Sequence, residues 1–275
     1  MQLMKAMIFA AGLGTRLKPM TDVMPKALVP VCEKPLLEHV ARKLMSAGID
    51  DVVVNVHHFA DMIENWVSEQ DWMCRDESQK KPGQMLVQIS DERRSLLETG
   101  GAVLHARRYL EGCGHFLIHN VDILSDCDLQ WFRDQVRPDS VGTLLVSRRE
   151  TSRYFLFHPQ TMRLAGWMNR KTGETILKDA SLTADQCLTY AFAGMHILSD
   201  MVLPLMAEYV AQKGLSTDGP ARFSIIDFYL WAASGYPIYG ALVENLEMLD
   251  VGKLDALDAA ESFVRSQGQS AVLDR

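Results

Sequence analysis

Residues 10–19 read Ala-Ala-Gly-Leu-Gly-Thr-Arg-Leu-Lys-Pro, directly after the apolar run Ala6-Met7-Ile8-Phe9. Glycines let a backbone come close to a ligand, and successive free N–H groups in such a loop form a nest for anions. Arg16 adds a planar fork of donors matched to phosphate oxygens. The loop carries no acid. The chemistry indicated is the handling of a polyphosphate. Two other phosphate loops are excluded: there is no third glycine for a G-x-G-x-x-G fingerprint, and no Gly-Lys-Ser/Thr ending of a P-loop. An ordinary strand-to-helix turn can also use Gly-x-Gly, so the loop has to be read with its neighbours.

Four further stretches carry suitable residue types. Pro25-Lys26-Ala27-Leu28-Val29-Pro30 is followed by Lys34-Pro35-Leu36-Leu37. Asn120-Val121-Asp122 ends an apolar run, which suits Asp122 to hold a cation; a helix cap is the plainer alternative. In Leu97-Glu98-Thr99-Gly100-Gly101-Ala102-Val103, the paired glycines would let something flat, such as a base, approach the backbone. The plainer reading there is Thr99 as a cap and a tight turn. Gly194 lies inside the apolar run 190–198, where glycine marks close approach by a ligand or by another part of the chain.

Taken together, these motifs resemble those of the sugar-1-phosphate nucleotidyltransferases. The opening of that family is similar to Ala10 through Pro19, then Pro25 through Pro30, then Lys34 through Leu37. The family also has runs similar to Glu98-Thr99-Gly100-Gly101, to Phe192-Ala193-Gly194, and to Asp250-Val251-Gly252. The resemblance spans about Met4 to about Phe263 and is strongest in the first third. It implies a Rossmann-like, doubly wound mixed α/β sheet of the nucleotide-diphospho-sugar transferase type. It implies transfer of a nucleoside monophosphate from a nucleoside triphosphate to a sugar 1-phosphate, with release of pyrophosphate. By the same resemblance, Arg16 and Lys26 are the catalytic residues. Ala11, Gly12, Gly14, Thr15, Arg16, Glu98, Gly100 and Gly101 contact the nucleotide. Phe192 and Gly194 face the sugar, with Asn169 and Lys178 as further candidates, and Asp122 and Asp250 hold Mg²⁺. The chain departs from the usual pattern at Val121, where relatives carry glycine, and at Lys253-Leu254, where Thr-Pro is usual.

The resemblance does not fix base or sugar. The Glu-Thr-Gly-Gly form suits guanylyl transfer to mannose or heptose 1-phosphate, towards which the reading leans, and equally uridylyl transfer to N-acetylmuramate 1-phosphate. Other classes stay open at this stage. A nicotinamide oxidoreductase is disfavoured by the missing glycine. A regulatory protein that binds a nucleotide sugar without turnover is disfavoured by the joint presence of Arg16, Lys26, Asp122 and Asp250. A nucleotidyltransferase for a non-sugar phosphate such as phosphocholine would differ in residues 153–190.

Residues 4–10, 51–56, 116–118 and 141–146 read as buried strands, separated by helical spacing such as Leu36, Leu37, Val40, Ala41 and Leu44. Continuous apolar strands alternating with helices imply a sheet covered on both faces, with ligands beyond the carboxyl ends of its strands. The Gly12–Arg16 loop and Asp122 both satisfy that rule. Asp126 and Asp128 read as caps of the helical stretch 129–136, Ser224 as the cap of another, Gly48 as a helix terminator, and His196 as structural. One catalytic domain over 4–266 with a tail over 267–275 accounts for the chain.

The 275 residues are 48% hydrophobic and 23% charged, with net charge −7, an ordinary balance for a globular protein. The acidic balance argues against a nucleic-acid or anionic-membrane partner. Five cysteines, odd in number and with no C-x-x-C spacing, indicate neither a disulfide framework nor a zinc site. No stretch approaches the ~20 apolar residues of a membrane span, and no charged leader opens the sequence. A cytoplasmic enzyme is expected, and a homo-oligomer is compatible with the sequence.

Overall fold

The computed structural model describes residues 4–215 and 219–273, and side chains as far as Gln267. Its centre is a block of parallel strands in the spatial order Met73–Cys74, Met85–Asp91, Asp51–Val56, Lys5–Phe9, His115–Asn120. Alternate residues of each strand enter opposite cores, which is why the runs are apolar throughout. Ala6, Ile8, Val52, Val54 and Leu117 pack with the helices Leu36–Ser46 and Ala60–Glu69. Met7, Val53, Phe116 and Ile118 pack with Glu98–His105, Val202–Lys213 and Ile225–Ala232.

The next strand, Leu188–Ser199, runs antiparallel and belongs to two regions at once. Its later half, Met195 to Ser199, pairs with His115–Asn120, and Leu188 to Tyr190 pairs with Arg153–Phe157. Leu164–Asn169 and Glu174–Leu177 extend that side, again antiparallel. On its other edge lies Gly142–Ser147, paired in parallel with Ile238–Val243. The long strand changes register between Phe192 and His196, and Gly194 sits there at φ +75°. A Cβ on Gly194 would stand 2.7 Å from Ile123 Cγ1 and 3.2 Å from Asn120 Nδ2. Packing against the protein's own side chains is sufficient reason for this glycine.

A separate antiparallel pair, Ile123–Ser125 with Met248–Asp250, brings the second aspartate motif beside the first: Asp250 opposes Ile123, and the Val251 N–H donates to the Asp122 carbonyl at 2.8 Å. Asp128 caps its helix as expected, accepting from Gln130 and Trp131 N–H, and Ser224 accepts from Ile226 N–H. Gly48 follows the first helix at φ +74°. Asp126 differs from the expected cap. Its carboxylate accepts from Glu247 N–H and so ties the two short strands together. The final helix, Leu257–Leu273, runs across the expected boundary at 266/267, and residues 274 and 275 of the expected tail lie outside the described residues. Among the described residues no helix is long and apolar enough to cross a membrane.

Candidate active site

A cavity of about 570 Å³ opens at the carboxyl ends of the parallel strands. Its lining includes Ala11, Gly12, Gly14, Thr15, Arg16, Lys26, Glu98 and Asp122, so residues of the glycine loop and of the stretches 25–30, 97–103 and 120–122 meet there. Phe9, Leu13, Asn55, Glu92, Leu96, Thr99, Asn120, Val121, Ser224 and Gly252 complete it.

The glycines of the first loop serve different ends. Gly14 has φ +62° and turns the chain into the short helical turn Thr15–Leu17. A Cβ there would meet Thr21 Cγ2 at 2.8 Å, while the Thr21 hydroxyl donates to the Gly14 carbonyl at 2.8 Å. A Cβ on Gly12 would meet nothing within 4 Å. That position faces the open cavity, where a ligand can approach the backbone.

The loop is held from beneath by a buried polar chain. Ala10 N–H donates to Asn55 Oδ1 at 2.8 Å, and Asn55 Nδ2 donates to Glu92 Oε1 at 2.8 Å. Leu97 N–H reaches Glu92 Oε2 at 3.3 Å. Glu92 is 3% exposed. Burial raises its carboxyl pKa above the usual value, against the opposing effect of the Asn55 and Leu97 hydrogen bonds. One carboxylate thus locks the glycine loop to the segment that leads into Glu98. Asn55 was missed in the sequence, although its place at the carboxyl end of a central strand was a usable signal. Of Ser90, Asp91 and Glu92, at the end of the strand Met85–Asp91 and just beyond it, only Glu92 lines the cavity.

Lys26 is 8% exposed, and its Nζ forms an ion pair with Asp122 Oδ2. Arg16 and Asp250 approach one another around Gly252: a Cβ on that residue would stand 2.7 Å from an Arg16 guanidinium nitrogen and 2.6 Å from Asp250 Oδ1. Gly252 is therefore the seat of Arg16. Asp250 itself is exposed and outside the cavity lining.

Glu98 has φ +61°, a left-handed conformation that ordinary side chains rarely adopt, and its carboxylate accepts from Arg222 Nε at 3.0 Å. Gly100 and Gly101 do not line the cavity. A Cβ on Gly100 would stand 2.3 Å from the Phe223 ring, and one on Gly101 would stand 2.3 Å from the Ala221 carbonyl oxygen. Both N–H groups donate to the Phe223 carbonyl, at 2.9 and 3.2 Å, and Thr99 Oγ1 accepts from Ile225 N–H. The glycines of this motif admit the chain's own segment 221–223, and Thr99 ties that segment down instead of capping the helix.

The structure does not bring the candidates of the sugar side into this cavity's lining. Phe192 packs against Phe155 and His196, and its carbonyl accepts from Arg149. Asn169 Oδ1 accepts from Lys171 N–H and shapes the turn beside it, and Lys178 is exposed beyond the outermost strand. His196 is buried and hydrogen-bonded to the Tyr229 hydroxyl.

The profile of the Nucleotidyl transferase family matches residues 5–155. An N-acetylmuramate alpha-1-phosphate uridylyltransferase from Caulobacter vibrioides is 44% identical over 94% of this chain and 95% of its own length. A mannose-1-phosphate guanyltransferase beta-B from Xenopus laevis is 34% identical over 55% of this chain and 40% of its own. The crystal structure of HddC from Yersinia pseudotuberculosis, complexed with GMP-PN, shares the fold with a TM-score of 0.67. It is 20% identical, with 95% of this chain and 99% of that one covered.

Proposed function

The chain belongs to the Nucleotidyl transferase family, and on that premise we propose that this sugar-1-phosphate nucleotidyltransferase joins UTP to N-acetylmuramate 1-phosphate, releasing pyrophosphate. The observation that carries the choice of substrates is the 44% identity sustained over 94% of the chain. The guanyltransferase similarity extends over only 55%. The lean of the sequence motifs towards a mannose or heptose 1-phosphate is accordingly given second place.

In this reading the triphosphate lies over the Gly12–Arg16 loop, whose open Gly12 face receives it. The base extends towards Glu98, and the sugar phosphate approaches from the side of Phe192 and Gly194. An oxygen of the sugar phosphate attacks the α-phosphorus as the bond to the bridging oxygen of pyrophosphate breaks. The attacking phosphate is already ionised near neutral pH, so no general base is needed. The protein's part is positioning and neutralisation of charge. Arg16, seated on Gly252, takes the charge of the departing pyrophosphate, and Lys26 takes that of the α-phosphoryl group.

The donor set also fits Mg²⁺. Two aspartates on adjoining backbone segments, with no metal-holding group of three or more His, Cys, Asp or Glu among the described residues, leave coordination places for phosphate oxygens and water. Asp122 and Asp250 would hold the ion, which would neutralise the crowded phosphates. We assign catalysis to residues 4–266 as a unit and place the enzyme in the cytoplasm, where nucleoside triphosphates are available.

Pyrophosphate release tests the proposal, measured with UTP, GTP, CTP and dTTP against N-acetylmuramate, glucose, mannose and heptose 1-phosphates. UTP with N-acetylmuramate 1-phosphate is expected to be the fastest pair. Faster release from GTP with mannose or heptose 1-phosphate would transfer the proposal to the guanylyl reading. Absence of release from every pair would end it.

A further inference from the structure

Lys26, a cation of the candidate site, rests against a carboxylate that the proposed reaction needs for something else. The Lys26 side chain is 9% exposed, its Cβ lies 3.1 Å from where a Gly14 Cβ would be, and its ammonium group is on Asp122 Oδ2. Arg16 and Asp250 Oδ1 both border the space left by the missing side chain of Gly252, without forming an ion pair. No group of three or more His, Cys, Asp or Glu that could hold a metal is gathered among the described residues. A divalent ion arriving alone would therefore find two carboxylates, one of them already neutralised. An ammonium group on Asp122 Oδ2 neutralises that carboxylate and repels a metal ion that approaches it.

We propose that Lys26 is a latch on the metal position: it holds Asp122 closed to divalent cations in the nucleotide-free protein and releases it only when triphosphate oxygens offer the ammonium group a new partner. This inference rests on the nucleotidyl-transfer reading. The exchange conserves pairing. Before it, ammonium meets carboxylate; after it, ammonium meets phosphate and carboxylate meets metal. Lys26 does not let go unprompted, because a nearly buried ammonium group without a partner is strongly unfavourable. Metal and nucleotide consequently strengthen each other's binding by the same factor.

The experiment is Mn²⁺ binding to nucleotide-free protein, followed by electron paramagnetic resonance. It compares wild type, Lys26→Met and Lys26→Gln, each with and without Asp122→Asn, with circular dichroism confirming the fold. Removing the ammonium group is expected to tighten Mn²⁺ binding at least tenfold, and Asp122→Asn is expected to abolish the gain. Equal or weaker binding in the folded Lys26 variants overturns the latch, as does a gain that survives Asp122→Asn. Wild type gives a reading independent of the variants. Mn²⁺ alone is expected to bind at least tenfold more weakly than to protein saturated with a non-hydrolysable UTP analogue, after correction for the analogue's own affinity. Equal affinity overturns the latch. Pyrophosphate release by the wild type reports separately on the reaction, so either idea can fail without the other.

Discussion

Gly101→Ala separates two explanations of the paired glycines. If they exist to admit the segment 221–223, a methyl group at 101 stands 2.3 Å from the Ala221 carbonyl oxygen and 3.1 Å from Leu97 Cβ. A backbone oxygen cannot swing aside as a side chain can, so the whole segment must back away. Overpacking of this kind costs about 1–3 kcal/mol. The two hydrogen bonds from Gly100 and Gly101 to the Phe223 carbonyl loosen with it, at about 1 kcal/mol each. Replacing glycine by alanine inside a helix returns about 1 kcal/mol. The net loss is roughly 2–4 kcal/mol, which for a chain of this length lowers the melting temperature by roughly 3–7 °C. Glu98 and Thr99 line the cavity and start the same helix, so KM for the nucleotide should rise alongside. Differential scanning calorimetry and initial-rate kinetics read the two effects. A variant that melts like wild type and yet loses nucleotide affinity would refute the packing argument, since the glycine would then be facing the ligand. Gly100→Ala offers a cross-check. Its obstacle is the Phe223 ring, so Phe223→Ala in the same chain should recover part of the lost stability, which a double-mutant cycle measures.

Three other outcomes follow from the site and its surroundings. Arg16→Ala should lower kcat by about 10²–10³ with the melting temperature preserved, as removal of one charge-stabilising donor does elsewhere, and kcat within twofold of wild type would remove Arg16 from the reaction. Asn55→Ala takes an acceptor from Ala10 N–H and a donor from buried Glu92, so a stability loss of about 2–4 kcal/mol is expected in urea melts, together with a higher KM for the triphosphate. Unchanged stability would show that this polar chain does not hold the loop. The third outcome concerns acid. Burial lowers the pKa of His119 to about 4 and of His196 to about 3. Both are depressed below the unfolded value of about 6.5, so as pH falls the unfolded chain takes up these protons first and stability declines from about pH 6.5 towards pH 4, with a slope of up to about 2.7 kcal/mol per pH unit from the pair. Urea midpoints at pH 7, 6 and 5 check this, and a flat profile would contradict it.

The central sheet was legible because buried parallel strands write themselves as unbroken apolar runs, with Ala6-Met7-Ile8 and Val52-Val53-Val54 feeding both cores in alternation. The Gly12–Arg16 loop and Asp122 were legible for a related reason, since strand ends are where such a fold puts ligands. Lys26 and Asp250 needed the resemblance to a family to be singled out, because nothing local marks them; Lys26 lines the cavity and Asp250 lies outside its lining. The paired glycines show the limit most clearly. A glycine states that something comes close, and only the fold says that at 100 and 101 the visitor is Phe223 with Ala221. Asn55 escaped notice because an asparagine in a strand carries no pattern of its own. Its importance lies wholly in the Ala10 N–H and the Glu92 carboxylate that it joins.

The strand Leu188–Ser199 runs as one element from the parallel half into the antiparallel extension, while Leu164–Asn169 and Glu174–Leu177 hang from that extension edge to edge, ending in the exposed turn at 170–173. Rebuilding those outer strands disturbs few bonds of the parallel core. Evolution could lengthen, shorten or recolour that fringe while the parallel core stayed as it was, and an engineer has the same freedom, with the turn at 170–173 as the place to begin.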